Sequence, residues 1–333
     1  MKASPVVHVA VAVIQDAAGR VLIAQRLPHQ HLAGLWEFPG GKLEPGEILA
    51  EGLRREIGEE LGIRVEAIAP LLRIEHAYPG KTVLLDVWRI IRWTGEPPGT
   101  RGAEGQSLRW VHPDDMHAEE FPPADVAIIA ALRLPTRYVI SPDLSDMTGV
   151  DVFLAALARR AARQLPDRLI QVRLKKTPAL APALIAGIRR ALPAARVLIN
   201  SDTLAGLSAA GGLHGADGVH LTARALHAWA EKTAVSPVEM PIRLPAPLSA
   251  ASCHNAGDLA RAFSLGIDFA TLSPVLATAS HADALPLGWA SFAQLAAGAG
   301  LPVYALGGMH GALLDDALAQ GAIGIAGISA MLD

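Results

Sequence analysis

From residue 137 onward, short apolar runs alternate with Ala- and Leu-rich stretches, and this alternation restricts the fold more than any other feature of the chain. The runs are YVI, RLIQVRL, RVLIN, DGVHL, PLSAAS, FATLSP, PVYALGG and AIGIAG, and each but the last is followed by a helical pattern. Strands joined through helices pair in parallel, and eight such units close as an α/β barrel of the (β/α)8, TIM type. The 197 residues available make it compact against the ~250 usual for that architecture.

The first 136 residues have a different texture. VVHVAVAVI and VLIAQR read as two strands joined by the polar turn QDAAGR, a hairpin signal. A loop dense in Gly and Pro, HQHLAGLWEFPGGKLEPGE, leads into apolar residues at helical spacing from Ile48 to Leu61, and Gly62 is placed to end that helix in a left-handed conformation. LLRIEHAY, TVLLDVWRII and SLRWVHP read as further strands, the last preceded by the loop TGEPPGTRGAEGQ, and a final helix is expected near Ala124 to Leu134. Pro135 marks the boundary, so an α+β domain is expected at 1–135 and the barrel at 137–333.

A length of 333 residues suits two domains. Only 18% of residues are charged, against roughly 25% in ordinary soluble domains. The first 136 residues carry 32 charged side chains and the other 197 carry 29, so the deficit belongs to the barrel, whose parallel strands are buried on both faces. No apolar stretch approaches the ~20 residues of a membrane span, and the strand-like start MKASPVVHVAVAVIQD has no small-residue cleavage site, so a cytoplasmic location is expected. The single cysteine, Cys253, excludes an internal disulfide and a cysteine-based zinc site, and a buried thiol is expected there. Net charge −3 offers no general attraction for polymeric nucleic acid but leaves a free nucleotide open as a partner.

The densest chemistry lies in GGKLEPGEILAEGLRREIGEELGI. Glu56, Glu59 and Glu60 stand three and four residues apart, so they share one helix face and repel one another unless a cation joins them. Clustered carboxylate oxygens suit hard cations such as Mg2+ or Mn2+, which bridge phosphate oxygens and lower the pKa of a bound water. The chemistry indicated is hydrolysis of a diphosphate bond.

Gly41, Glu47, Arg55, Glu56, Ile57, Glu59, Glu60, Gly62 and Ile63 fill every specified position of the Nudix box, and the domain resembles the Nudix hydrolases. LWEFPGGKLEPGE, WTGEPPG and FPPAD are most similar to the MutT branch, the 8-oxo-dGTP diphosphatases. The resemblance implies a mixed sheet sandwiched by helices. It also implies metal ligation by Glu56, Glu59 and Glu60 with the backbone of Gly41, Arg55 among the catalytic residues, and Glu104 as a further ligand or general base. Arg26 would contact phosphate, and Glu37 and Phe38 would border the base. Asp125 stands where that branch has a base-reading asparagine. An ionised aspartate only accepts hydrogen bonds, so it can receive the N7 proton of 8-oxoguanine but repels O6 unless protonated.

Residues at the ends of the barrel strands resemble the thiamine-phosphate synthase superfamily, which includes the thiazole tautomerases. QVRLKK, INSD, DGVHL, SPVLATASH, GGMHG and GIAGISAM carry that likeness. It implies binding of a thiamine-related phosphate by Gln171, Arg173, Lys175, Asn200, Ser252, Thr278, Ser280, Gly308 and Ser329. Ser201 and Ala225 stand where the synthase has metal carboxylates, His281 replaces its lysine, and Pro274 stands near the tautomerase histidine. A degenerate barrel is therefore expected, serving in binding, sensing or structure. His8, His76 and His310 are expected to be satisfied or surface histidines.

The function expected is metal-dependent cleavage of 8-oxo-dGTP to 8-oxo-dGMP and pyrophosphate, which clears the nucleotide pool of a mutagenic precursor. The alternatives are cleavage of thiamine-pathway diphosphates, with the barrel as their binding or sensing module, and residual thiamine-phosphate synthase activity.

Overall fold

A computed structural model describes residues 5–97, 99–162, 169–208, 212–234, 246–278 and 285–328. The chain divides into two compact units, Met1–Leu134 and Pro135–Asp333.

Unit 1 runs β1 (Val6–Val13), β2 (Val21–Gln25), β3 (Trp36–Glu37), β4 (Gly40–Lys42), α1 (Leu49–Leu61), β5 (Arg64–Tyr78), β6 (Lys81–Thr94), β7 (Leu108–Val111) and α2 (Val126–Leu132). A mixed four-stranded sheet has the order β4-β1-β6-β5, with β1 and β6 parallel, and a separate antiparallel sheet has the order β3-β2-β7. Helix α1 sets Leu53, Ile57 and Leu61 into a core with Ala10, Ala12 and Ile14 of the first strand and turn.

The expected hairpin of β1 and β2 is confined to its tip. Asp16 N–H donates to Arg20 at 2.9 Å and Leu22 N–H to Ile14 at 3.0 Å, after which the strands part into different sheets. β1 spends both edges on β4 and β6, so β2 must find its partners elsewhere. β5 is longer than expected, and its pairing with β6 shifts register between Val65 and Ala67, between Ala67 and Ile68 and between Pro70 and Leu72, the last just after a residue with no N–H to give the ladder. The final helix is shorter than expected because Pro123–Asp125 form a 3-10 turn before it.

Unit 2 is a closed barrel of eight parallel strands. Its elements are β8 (Arg137–Ile140), α3 (Met147–Ala162), β9 (Leu169–Val172), α4 (Ala181–Ala191), β10 (Arg196–Asn200), α5 (Ser201–Ala205), β11 (Gly218–Leu221), α6 (Ala223–Ala234), β12 (Leu248–Cys253), α7 (Ala256–Ser264), β13 (Phe269–Leu272), α8 (Gly288–Ala297), β14 (Val303–Leu306), α9 (Leu314–Ala319) and β15 (Gly324–Gly327). β15 pairs with β8 through Ala326 and Tyr138, which closes the ring. Side chains alternate across each strand. Val139, Ile170, Val197, Val219 and Ile325 pack outward in the helix-facing core, while Tyr138, Phe269 and Tyr304 meet inside with ring centroids 5.3 to 5.6 Å apart. Among the described residues no helix is long and apolar enough to cross a membrane.

Candidate active site

The acidic face of α1 meets the loop that enters it. Gly62 ends the helix with φ 63°, its N–H bonded to Gly58, so the last turn carrying Glu59 and Glu60 is held in place. Glu60 is 9% exposed and accepts the Gly40 N–H at 3.0 Å. Burial, with Glu37, Glu104 and Glu56 nearby adding to it, pushes Glu60 up to about 8. Glu56 is raised as well, by burial first and by Glu59 and Glu104, with Arg55 opposing.

Arg55 distributes its donors over this face. Nε and Nη2 both reach Glu47 at 2.9 Å, while Nη1 reaches Glu56 at 2.9 Å and Glu59 at 3.2 Å. The Arg55 bonds and the Glu44 N–H pull Glu47 down to about 2. The loop bearing Glu104 is tied to the same helix end, with Ala103 N–H donating to the Glu60 carbonyl at 2.9 Å.

A hard divalent cation fits these residues. A Cβ on Gly41 would lie 2.1 Å from Glu56 Oε2, so with glycine here the backbone and this carboxylate come together without either having to shift. Carboxylates raised by mutual repulsion and burial, beside a backbone segment that can offer a carbonyl, are the oxygen donor set such an ion takes. Among the described residues no three His, Cys, Asp or Glu side chains already converge as a closed cage. Arg55 draws Glu56 and Glu59 toward itself instead.

Next to the carboxylates, Arg26 pairs with Glu37 and donates to the His31 carbonyl at 2.6 Å. Burial, with Glu104 adding and Arg26 opposing, pushes Glu37 up to about 7. Phe38 is buried against Phe121 at a centroid distance of 5.9 Å. Asp125, also buried, closes this group at the 3-10 turn before α2.

The barrel interior holds a second polar group. His220 is 1% exposed and links Tyr138 OH on Nδ1 to Ser252 Oγ on Nε2, both at 2.9 Å. Burial, reinforced by Arg173, lowers it to about 3, so it is neutral at pH 7. Gln171 Nε2 and Thr271 Oγ1 are buried with no hydrogen-bond partner among the described residues. Arg173 N–H donates to Ser141 Oγ at 2.9 Å, and Lys175 is exposed just beyond it. Asn200 caps α5 by accepting the Asp202 N–H at 3.0 Å. Gly308 turns with φ 70° against Leu276 and Ala277, and Thr278 is half-buried. Ser280, His281 and Ser329 lie outside the described residues.

His220, Tyr138 and Thr271 escape a reading confined to strand ends. They occupy the inward positions of their strands, a signal that strict alternation along DGVHL and FATL could have supplied. A divalent cation does not fit the corner where the synthase has its metal. Ser201 Oγ is taken by the Thr222 N–H at 3.0 Å, and Asp202 accepts from Arg224 at 3.1 Å. The isolated histidines are settled structurally: His8 bonds Asp86, His76 stacks edge-on with Tyr78, and His310 is exposed.

The NUDIX domain family model matches residues 10–131, and the thiamine monophosphate synthase family model matches residues 138–331. The chain belongs to both families. Its Nudix unit is 35% identical over 126 residues to an 8-oxo-dGTP diphosphatase of Escherichia coli, which covers 38% of this chain and 95% of the relative. An 8-oxo-dGTP diphosphatase of Haemophilus influenzae is 35% identical over 135 residues, 40% of this chain and 97% of the relative. A CTP pyrophosphohydrolase of Escherichia coli is 34% identical over 121 residues, 36% of this chain and 87% of the relative. The protein is thus a Nudix hydrolase of diphosphate bonds, in a family that works with divalent metal ions.

Proposed function

We propose that the Nudix unit, residues 1–135, hydrolyses 8-oxo-dGTP to 8-oxo-dGMP and pyrophosphate, in the cytoplasm, as a guard against mutagenic nucleotides. The observation that carries this reading is the raised carboxylate pair Glu56 and Glu60 beside Gly41, with the half-buried Arg26–Glu37 pair and the buried Phe38 and Asp125 in the same unit. Glu56, Glu59, Glu60, Glu104 and the Gly41 carbonyl would hold Mg2+ or Mn2+. Such an ion, when bound, offsets the charge of the phosphate chain and acidifies water. Arg55 keeps Glu56 and Glu59 aligned. Arg26 holds a phosphate by exchanging part of its contact with Glu37. A carboxylate at Glu104 takes a proton from the attacking water as its oxygen bonds to phosphorus and the bond to the pyrophosphate oxygen breaks. The reading is tested by steady-state kinetics of the full-length protein on 8-oxo-dGTP, dGTP, CTP and thiamine-pathway diphosphates. A marked advantage for 8-oxo-dGTP is expected, and equal rates on 8-oxo-dGTP and dGTP overturn the substrate assignment.

A second role falls to the barrel, residues 137–333. The unpartnered Gln171 Nε2 and Thr271 Oγ1, inside a barrel with the His220 and Ser252 pair, favour binding of a thiamine-related phosphate over catalysis. Residual synthase activity is disfavoured by Ser201 and Ala225, which offer no carboxylate for the ion that expulsion of pyrophosphate needs. Adding thiamine phosphate is expected to raise the melting temperature of the protein, or to change its nucleotide hydrolysis rate, and the absence of both rejects this role.

A further inference from the structure

Gln106, in the loop between β6 and β7, is 4% exposed although it stands outside every regular element. Its backbone carbonyl accepts the Gly102 N–H at 2.8 Å, and the Gly105 N–H donates to the Gly102 carbonyl at 3.0 Å. Residues 102–105 therefore form a closed turn on Gln106, with Glu104 at its third position.

The Gln106 side chain fills the inside of this turn. A Cβ on Gly102 would lie 2.5 Å from its Cδ and 2.6 Å from both Nε2 and Oε1. Nε2 reaches the Glu60 carbonyl at 3.5 Å, the same oxygen that accepts the Ala103 N–H at 2.9 Å. The amide thus stands as a spacer between the end of α1 and the turn. Glu104, carried on that turn, lies near enough to Glu37, Glu56 and Glu60 to repel each of them. Gly105 and Gln106 also wall a cavity of about 420 Å3 together with Arg26 and Gly34.

Stability alone does not account for an amide in this place. Oε1 is buried with no hydrogen-bond partner among the described residues, and the one bond of Nε2 is at the long limit. An apolar side chain of equal length would fill the same volume and leave no polar atom unsatisfied. What the amide adds is a donor aimed at the Glu60 carbonyl and a planar end on which the turn closes. Both bear on where Glu104 stands.

We propose that Gln106 is a positioning residue of the hydrolase: its amide spaces the turn from the end of α1 and so sets the Glu104 carboxylate against Glu56 and Glu60. The inference rests on the role given to Glu104 above and extends it to the side chain beneath the turn.

The test is a double-mutant cycle on the full-length protein, followed as pyrophosphate release from 8-oxo-dGTP and from dGTP at saturating Mg2+. Gln106→Met keeps the length of the side chain and removes the amide. It is expected to lower kcat by about tenfold or more, with KM within about twofold of wild type and the melting temperature not lowered. In a Glu104→Gln background the same substitution is expected to change kcat by less than about twofold, since the group it positions is gone. Gly102→Ala is the second variant: Gly102 lies outside the left-handed region, and its methyl group displaces the Gln106 amide while residue 106 itself is unaltered. It is expected to match Gln106→Met in both backgrounds, and it decides the outcome should Gln106→Met fail to fold. A kcat within about twofold of wild type, or a loss of equal size with and without Glu104, overturns the inference. A Glu104→Gln protein with wild-type kcat would overturn the role of Glu104 itself, so the two failures are distinguishable.

Discussion

Arg55 grips Glu47 through two parallel bonds, Nε to Oε1 and Nη2 to Oε2, both 2.9 Å long. The fork fixes the Gly- and Pro-rich loop to the helix bearing the acidic face, and the remaining guanidinium nitrogen reaches across to Glu56 and Glu59. One planar cation thus sets the spacing of three carboxylates.

Arg55→Lys keeps the charge and loses the fork, since an ammonium cannot bond two carboxylate oxygens in one plane while reaching two further side chains. Activity at limiting Mg2+ is expected to fall by about one to two orders of magnitude, with part of the loss recovered at high Mg2+. Titration of the rate against Mg2+ checks this, and an unchanged half-saturation point would contradict it.

Gly41→Ala drives a methyl group into the Glu56 carboxylate. The variant is expected to fold, because Gly41 lies on the short edge strand β4, yet to lose kcat by at least about two orders of magnitude. Gly58→Ala, whose added Cβ meets nothing nearer than 3.9 Å, is the control. It is expected to keep full activity and gain about 0.5–1 kcal/mol from helix propensity.

Glu60 ties stability to pH. Its folded value near 8 exceeds the 4.5 of an unperturbed glutamate, so between these limits the native state holds a proton that the unfolded chain has released. Metal-free protein is therefore expected to lose stability as pH rises from about 4.5 to about 8, and added Mg2+ to restore it most strongly at the upper end. Thermal unfolding at pH 5 and pH 8, with and without Mg2+, measures both effects. Glu60→Gln should reduce the pH slope, most of all between about 7 and 8 where Glu37 and Asp125, both raised by burial, no longer add to it, and lower kcat by orders of magnitude, and Glu56→Gln should lower kcat likewise.

Cys253 is fully buried, and burial together with Asp258 pushes its thiol up to about 12. The native protein is expected to react with a thiol reagent at pH 8 only as fast as the barrel opens, and the unfolded protein at once. Immediate labelling of the native protein would contradict the buried placement.

Much of this was legible in the sequence because the features involved are local. The spacing of Glu56, Glu59 and Glu60, the terminating Gly62 and the eight apolar runs each lie within one element or one repeat. The relationships that escaped are between elements. Whether β2 stays with β1 depends on β4 and β6 claiming both edges of β1, which no pattern within residues 6–26 reveals. His220 lies away from the strand ends, and of its partners Ser252 sits on the neighbouring strand β12 while Tyr138 on β8 is reached only across the closed ring. The pairing of Arg26 with Glu37 joins the residue just after β2 to β3, so a residue expected to await phosphate already has a competitor.

Glu60 also serves through its backbone. Its carbonyl receives the Ala103 N–H, so the anchor of the Glu104 loop is made of atoms that every amino acid possesses. Side-chain replacement at position 60 removes a charge and leaves the tether intact. The tether of the Glu104 loop and the charge at this residue are therefore separable by mutation, while the bond from Gly40 N–H goes with the side chain.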